Sequence, residues 1–430
     1  MIIARNSYLE QLKERMGNGL IKIVTGIRRC GKSFLLFRLF TDYLKNSGVS
    51  PEHIITVDLE DEENEKYCDV SNLSDFLKQH IADDGQMHYL LLDEIQYAIS
   101  KKELKSKDNP PRLYRLLNGL MKRPNVDIYV TGSNSKMLSN DISTEFRGRG
   151  DKIRLHPLSF YEYFSAVDTD RVTAFDNYML YGGMPQMLTR QSQRAKLEYA
   201  SDLFSEVYRK DIMERYEIEF PDVLDKLTDT LCSSIGSLTN VTKLTATIRS
   251  SGENKCHRDT VARYLEYLQE AMLFTPAKRY DVKGRKYFDY PMKFYCEDIG
   301  LRNMRLNLRQ QEETHIMENI IFNELVRRGY AVDVGVIQLS EKTEDGKTTR
   351  KNCEIDFVAN LGSRRYYIQS AWRLDGEGKA QQEIRPLLNT ADSFIKIIIT
   401  RTTQPPWLDD KGILHLGIYD FLLNQELPFV

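Results

Sequence analysis

Residues 26–33 read Gly26-Ile27-Arg28-Arg29-Cys30-Gly31-Lys32-Ser33, a complete G-x-x-x-x-G-K-S spacing. That spacing suits a loop wrapped around a triphosphate. Gly26 and Gly31 permit backbone angles and a close approach that a Cβ would block. Inward-pointing backbone amides and the N-terminus of a following helix supply partial positive charge. Lys32 is placed to reach the β- and γ-phosphates and Ser33 to hold Mg²⁺, so the run Gly26 to Phe34 is the expected nucleotide-binding segment. A second run, Tyr89-Leu90-Leu91-Leu92-Asp93-Glu94, is apolar and ends in two acids. Asp93 is the expected second Mg²⁺ ligand, and Glu94 the expected general base, one water away from the γ-phosphate. A third run, Asp127 to Gly132, leads into Ser133-Asn134-Ser135, where Asn134 can sense the γ-phosphate. Arg147 and Arg149 are candidate arginine fingers, from this chain or from a neighbouring copy in a homo-oligomer.

These side chains need a sheet to hold them. Leu20 to Thr25 reads as a buried strand and Phe34 to Phe40 as a helix, so the glycine loop sits between strand and helix. Strand and helix patterns alternate over residues 1–155, which predicts an α/β fold with a parallel sheet. Its strands should be covered on both faces, since they are apolar throughout, and ligands bind at their C-terminal ends.

The chain has 430 residues, 41% hydrophobic and 28% charged, with a net charge of −2. A uniformly electrostatic nucleic-acid binder is thereby excluded, and any such binding must use a local patch. Six scattered cysteines contain no C-x-x-C, which argues against zinc modules and a secreted disulfide framework. No secretory pattern and no long apolar span occurs, so a cytoplasmic protein that does not enter a membrane is expected.

Residues 156–218 read as helical, broken at Tyr181-Gly182-Gly183-Met184-Pro185, and form a candidate lid. Residues 219–305 read as three helices followed by a hairpin, a winged helix. Its third helix carries an apolar stripe at Val261, Tyr264, Leu265 and Leu268. Lys243, Arg249, Lys255, Arg258, Arg263, Lys283 and Arg285 make it locally basic and so a candidate DNA contact, although Glu253, Asp259, Glu266 and Asp281 dilute the charge. Residues 306–430 read α-β-β-β-α-β, the core of a restriction-endonuclease-like domain. Glu318, Glu354, Asp356 and Gln369 fall where such a domain places its metal-binding side chains. Ala371 stands where that pattern expects lysine, so this set is read as a degenerate, nuclease-inactive site. Arg373 and Lys379 are the nearby cations that could replace the missing charge.

Together these runs resemble a family of bacterial and archaeal AAA+-like P-loop ATPases with a C-terminal module similar to restriction endonucleases. Besides the loop and the acid pair, the resemblance rests on Thr131-Gly132-Ser133-Asn134, Arg147-Gly148-Arg149 and His156-Pro157-Leu158-Ser159-Phe160. It continues through Gly182-Gly183-Met184-Pro185, Phe294-Tyr295-Cys296-Glu297-Asp298-Ile299-Gly300-Leu301 and Glu354-Ile355-Asp356-Phe357. It implies ATP binding and hydrolysis with Mg²⁺, an AAA+-like fold, a winged helix and a nuclease-like tail. Three functions follow as alternatives: an ATP-hydrolysing switch or remodeller, an ATP-gated Mg²⁺-dependent DNA nuclease, and a binding module that uses ATP as a structural ligand.

Overall fold

Three strands of the N-terminal part are buried along their whole length, and this fixes where they lie. β1 (Ile21–Thr25), β3 (His88–Asp93) and β4 (Val126–Gly132) are wholly buried, whereas β2 (Ile54–Asp58) and β5 (Gly150–Arg154) are partly exposed. Buried strands belong inside a parallel sheet and mixed ones at its edges. The sheet runs β2-β3-β4-β1-β5, every pair parallel. This is the α/β P-loop arrangement expected from the alternating pattern. The computed structural model describes residues 2–100, 102–103, 110–132, 150–207, 212–253, 256–342, 348–374, 376–424 and 427. They divide into two compact units, residues 1–157 with 270–272, and residues 158–269 with 273–430.

A charge pair sets the register of β1 against β4. Lys22 is the one charged residue of its strand, and its ammonium is fully buried against the carboxylate of Asp127. Asp127 also accepts from the Tyr129 hydroxyl at 2.9 Å and from the Gly17 N–H at 3.0 Å. Breaking such a pair leaves an uncompensated buried charge, so a slipped register is heavily disfavoured. The result places Val24 beside Thr131 at the C-terminal edge.

Near the start of the second unit is Ser159, whose side chain accepts from the Glu162 N–H while Glu162 accepts from the Ser159 N–H, a reciprocal cap on the helix Phe160–Phe164. Helices Arg171–Tyr181 and Gln193–Glu206 follow, separated at Gly182-Gly183 as the sequence predicts. Helices Pro221–Ser233, Val241–Ser250 and Arg258–Glu270 come next. The four stripe residues of the last are all buried.

The remaining strands are β6 (Phe274–Asp281), β7 (Lys286–Cys296), β8 (Ala331–Lys342), β9 (Thr348–Leu361), β10 (Arg364–Ala371), β11 (Ile395–Thr400), β12 (Trp407–Leu408) and β13 (Ile413–Gly417). They form one mixed sheet in the order β12-β13-β11-β10-β9-β8-β6-β7. The β6–β7 hairpin, read from the sequence as a wing, thus continues the C-terminal sheet through a parallel β6–β8 pairing. Helix Glu313–Arg327 precedes β8, and helix Glu377–Leu388 lies between β10 and β11.

The glycines of the Gly182-Gly183 break are required by packing. A Cβ on Gly182 would stand 2.3 Å from Asp298 Oδ1, one on Gly183 would stand 2.3 Å from the Leu158 carbonyl oxygen, and one on Gly300 would stand 2.0 Å from the Tyr181 carbonyl oxygen. Buried Asp298 accepts from the Gly183 N–H at 2.7 Å and the Leu301 N–H at 3.0 Å. Burial pushes its carboxyl up to about 6, against the lowering effect of those amides. A raised folded value means that stability is greatest below the unfolded value and is lost as pH rises toward 6. Asp298→Ala should be less stable at every pH and should lack the fall between pH 4 and 6. Denaturant titrations across that range measure both effects.

Candidate active site

β1 ends at Thr25, and the chain turns through Gly26 into the loop that leads to the helical stretch Lys32–Phe34. The stretch continues as a π-helix over Leu35–Phe40 and as an α-helix over Thr41–Asn46. Gly31 has a φ of 103° and Arg29 one of 65°. Gly26 is crowded from the side of β5: a Cβ there would meet the Leu155 carbonyl oxygen at 2.3 Å and Cys30 Sγ at 2.8 Å. Ile27, Arg28 and Cys30 are buried, while Arg29 and Phe34 are exposed. The guanidinium of buried Arg5 donates to the Cys30 carbonyl at 3.3 Å and to the His156 carbonyl at 2.6 Å. It therefore ties the loop to the segment after β5, and no spacing rule marks a residue so far upstream.

Four of the expected residues converge. Lys32 Nζ lies 3.2 Å from the Gly26 carbonyl oxygen, 3.5 Å from that of Ile27 and 3.2 Å from Glu94 Oε1. The Ser33 side chain lies beside Asp93 and favours its ionised form, and these are the two residues expected to share Mg²⁺. Burial, reinforced by the Glu94 charge, pushes the Asp93 carboxyl up to about 6, with Ser33, Thr131 and Lys32 opposing. Burial would also raise Glu94, but Lys32, Gln96 and Arg28 outweigh it and hold Glu94 below the usual carboxylate range. For Lys32, burial favours the neutral amine, yet Glu94 and Asp93 keep the ammonium above its ordinary value. The two adjacent acids are thus driven apart, with Glu94 the one held ionised.

Thr131 joins them. Its hydroxyl accepts the Glu94 N–H at 2.9 Å and donates to Asp93 Oδ1. Glu94 has a φ of 48°, a left-handed conformation unusual for a residue with a side chain. That turn carries its carboxylate to Lys32 and to the amide of Gln96, which donates to Oε2. Arg28 pairs with Glu60, which also accepts from the Tyr97 hydroxyl at 3.2 Å, beside this cluster. Arg5 is not singled out from the sequence, and Thr131 and Gln96 stand there only within the runs Thr131 to Asn134 and Leu91 to Gln96, with no role of their own. Only Thr131 had a signal, its place at the C-terminal end of a central strand. Asn134, Arg147 and Arg149 lie outside the described residues.

Thr131→Val keeps the shape and removes the hydroxyl. The Glu94 N–H then loses its acceptor, at a cost of about 1–3 kcal/mol. A lower melting temperature and weaker binding of a fluorescent ATP analogue are expected, both restored by Thr131→Ser.

The second unit holds another charged cluster. Lys293 on β7 is buried, and its Nζ lies 2.9 Å from Glu318 Oε1, 2.8 Å from Glu354 Oε1 and 3.6 Å from Asp356 Oδ1. Glu318 also accepts from the Tyr295 hydroxyl at 2.7 Å, and Asp356 Oδ2 from the Ser370 N–H at 2.8 Å. Between β8 and β9 the register moves from Asp333↔Val358 to Gly335↔Ile355. Two residues, Asp356 and Phe357, therefore stand opposite one, a bulge that re-aims side chains. Burial and neighbouring Glu318 push the Asp356 carboxyl well above the usual range, and the acids together raise Lys293 against the effect of burial. Three of the four residues expected here thus meet. Gln369 turns its amide to Glu383 at 2.8 Å and accepts the Asp356 N–H at 3.4 Å. Lys293 was invisible from sequence because it sits 25 residues before its first partner, on a strand read as part of a wing.

The description "AAA domain" matches residues 18–164, and "Domain of unknown function (DUF8612)" matches residues 172–312. Over 428 residues the chain is 30% identical to an uncharacterized protein of Haemophilus influenzae, covering 98% of this chain and 99% of that one. The chain belongs to that protein's family, one of AAA+-like ATPases. An uncharacterized protein of Methanocaldococcus jannaschii is similar to this family member at 26% identity over 374 residues, 84% of this chain and 77% of that one. The solved structure of the Aeropyrum pernix ORC2 protein (ADPNP-ADP complexes) is similar at 12% identity with a TM-score of 0.39, covering 64% of this chain and 88% of that one. At that distance the likeness carries no functional inference for the family. No helix among the described residues is long and apolar enough to cross a membrane.

Proposed function

We propose that the chain binds ATP with Mg²⁺ at the glycine loop and hydrolyses it to ADP and phosphate, acting as a molecular switch or remodeller. One observation carries this reading: an unbroken network runs from Asp93 through Thr131 to Glu94 and Lys32, with Ser33 beside Asp93. Ser33 and Asp93 are the residues that hold Mg²⁺, which supplies positive charge at the phosphate oxygens. Lys32 exchanges the loop carbonyls and Glu94 for the β- and γ-phosphates. Glu94, ionised and freed from Lys32, orients the water whose oxygen attacks the γ-phosphorus as the bond to ADP breaks. Asn134 senses the γ-phosphate, and Arg147 or Arg149 completes the site, from this chain or from a neighbour in a homo-oligomer. An arginine finger contributes about 10³–10⁵ in rate, so turnover by the isolated chain is slow. Lys32→Ala should weaken ATP binding at least about a hundredfold, a loss of about 2.7 kcal/mol. Glu94→Gln should retain binding and lose about 10²–10⁴ in kcat. Calorimetry and phosphate release separate the two effects, and wild-type turnover in Glu94→Gln would remove Glu94 from this role.

In this reading residues 1–155 are the ATPase core, 156–218 a helical lid, 219–305 a winged helix and 306–430 a restriction-endonuclease-like domain, in a cytoplasmic protein. Exposed Arg258 and Arg263 on the helix Arg258–Glu270 support DNA as the partner of the winged helix. Each phosphate neutralised adds about −0.9 to the slope of log affinity against log salt. The double variant Arg258→Gln/Arg263→Gln should therefore bind DNA more weakly, with a slope shallower by up to about 1.8. Fluorescence anisotropy over a salt series reads the slope, and absence of binding at low salt would rule out the contact.

A further inference from the structure

Three side chains that ligate transition metals meet at the N-terminal ends of β2 and β3, at the opposite edge of the parallel sheet from the glycine loop. His53 immediately precedes β2, and His88 is the first residue of β3. Asp84 lies between the helix Val70–His80 and β3. The pairing of Ile54 with Tyr89 sets the two histidines side by side, with ring centroids 4.7 Å apart at an angle of 82°. His53 Nε2 lies 2.8 Å from Asp84 Oδ2. One ligand atom from each of the three falls within 4.8 Å of the others. The surroundings hold these groups in place. Asp84 Oδ1 accepts from the Gln86 N–H at 2.9 Å, and the Asn125 side chain pins the loop by donating to the Ala82 carbonyl at 3.1 Å. His88 is 1% exposed, and its Nδ1 lies 3.1 Å from the Gln86 carbonyl oxygen. A carbonyl only accepts, so Nδ1 carries the proton and Nε2 the lone pair. The Ala82 N–H, which donates to Nε2 at 3.2 Å, agrees with that tautomer. It is the one a metal needs, with the second nitrogen steadied by a backbone carbonyl. Ala82 is exposed, so water can accept its N–H once a metal takes the lone pair.

We propose that His53, Asp84 and His88 bind a divalent transition metal of the Zn²⁺ type, which staples the edge strand β2 to the sheet. Two imidazoles and one carboxylate form a donor set that suits Zn²⁺ and selects against Mg²⁺. Bonds of about 2.0–2.2 Å put tetrahedral ligands about 3.3–3.5 Å apart. The cluster closes to that spacing through Asp84 and His53, whose side chains are 38% and 14% exposed, while buried His88 stays fixed. The ion takes the place of the proton that His53 Nε2 and Asp84 Oδ2 share, and water fills the fourth position. β2 is the outermost strand and has one neighbour, β3, so a link here acts where the sheet is least supported. His53 and Asp84 are 31 residues apart in sequence, and an ion that joins them only in the folded chain raises stability by mass action. β3 carries His88 at one end and Asp93 at the other, about 17 Å apart at about 3.3 Å per residue. The staple is thus distinct from the pair expected to share Mg²⁺. No spacing rule marks it, because its ligands come from the starts of two strands and the loop before one of them.

The test uses the full chain, stripped with a chelator and free of nucleotide, with Zn²⁺ as ligand and Co²⁺ as a spectroscopic probe. Calorimetry should find a Zn²⁺ site in wild type that excess Mg²⁺ does not displace. Co²⁺ there should show the visible bands of a four-coordinate ion with nitrogen ligands, and Zn²⁺ should raise the melting temperature. His53→Gln and Asp84→Asn avoid the core and keep groups that can hydrogen-bond each other, so without metal both should melt like wild type. Each should bind Zn²⁺ at least about a hundredfold more weakly, and each should lose the Co²⁺ bands and the Zn²⁺-dependent rise in melting temperature. His80→Gln is the control: that exposed ring bonds the Phe76 carbonyl at 2.8 Å outside the cluster, and its loss should leave all three readouts unchanged. Absence of a Zn²⁺ site resistant to Mg²⁺ in wild type, or Zn²⁺ affinity unaffected by His53→Gln and Asp84→Asn, would each overturn the proposal. Neither outcome depends on whether the glycine loop hydrolyses ATP.

Discussion

An ammonium group taken out of water must find a counter-charge, and three lysines among the described residues are buried at decisive places. Lys22 is paired with Asp127, Lys32 with Glu94, and Lys293 with Glu318 and Glu354. An unpaired buried charge is so unfavourable that each pair acts as a positional constraint. The first aligns β1 with β4 at one end of the sheet, and the second fixes the resting position of the loop lysine at the other. The third joins β7, β9 and the helix Glu313–Arg327 within the second unit. Removing one partner leaves the other stranded, so these pairs specify arrangement more than they add net stability.

Much of the first unit was legible because its chemistry is local. The loop at Gly26 and the acids at Asp93 and Glu94 are contiguous runs, and the apolar strands that precede them mark a parallel sheet. Nothing contiguous marks Arg5, which reaches the loop from just before the helix Asn6–Glu14, and the role of Gln96 depends on the left-handed turn at Glu94. Thr131 reads as strand and not as site, because the polar residues that follow it carry the stronger local signal.

The second unit was less legible, and for one physical reason. Its functional-looking groups come from strands far apart in sequence. Periodicity identified the helices, their breaks and the order of elements from Glu313 to Thr400. It could not reveal that β6 pairs in parallel with β8, nor that a lysine on β7 would enter a carboxylate cluster. Glycines told more once their surroundings were visible. Gly182, Gly183 and Gly300 are places where backbone meets backbone or a buried carboxylate, so the motif at 182–185 and the run around Asp298 are two halves of one packing contact.

The bond between Lys32 and Glu94 also has a thermodynamic side. On the proposed function, whatever free energy it lends to the loop is given up when a triphosphate enters and is recovered when product departs. Every 1.4 kcal/mol so invested weakens apparent affinity tenfold. On that function, the Lys32–Glu94 contact therefore lowers apparent affinity for any anion that draws Lys32 away from Glu94, product included.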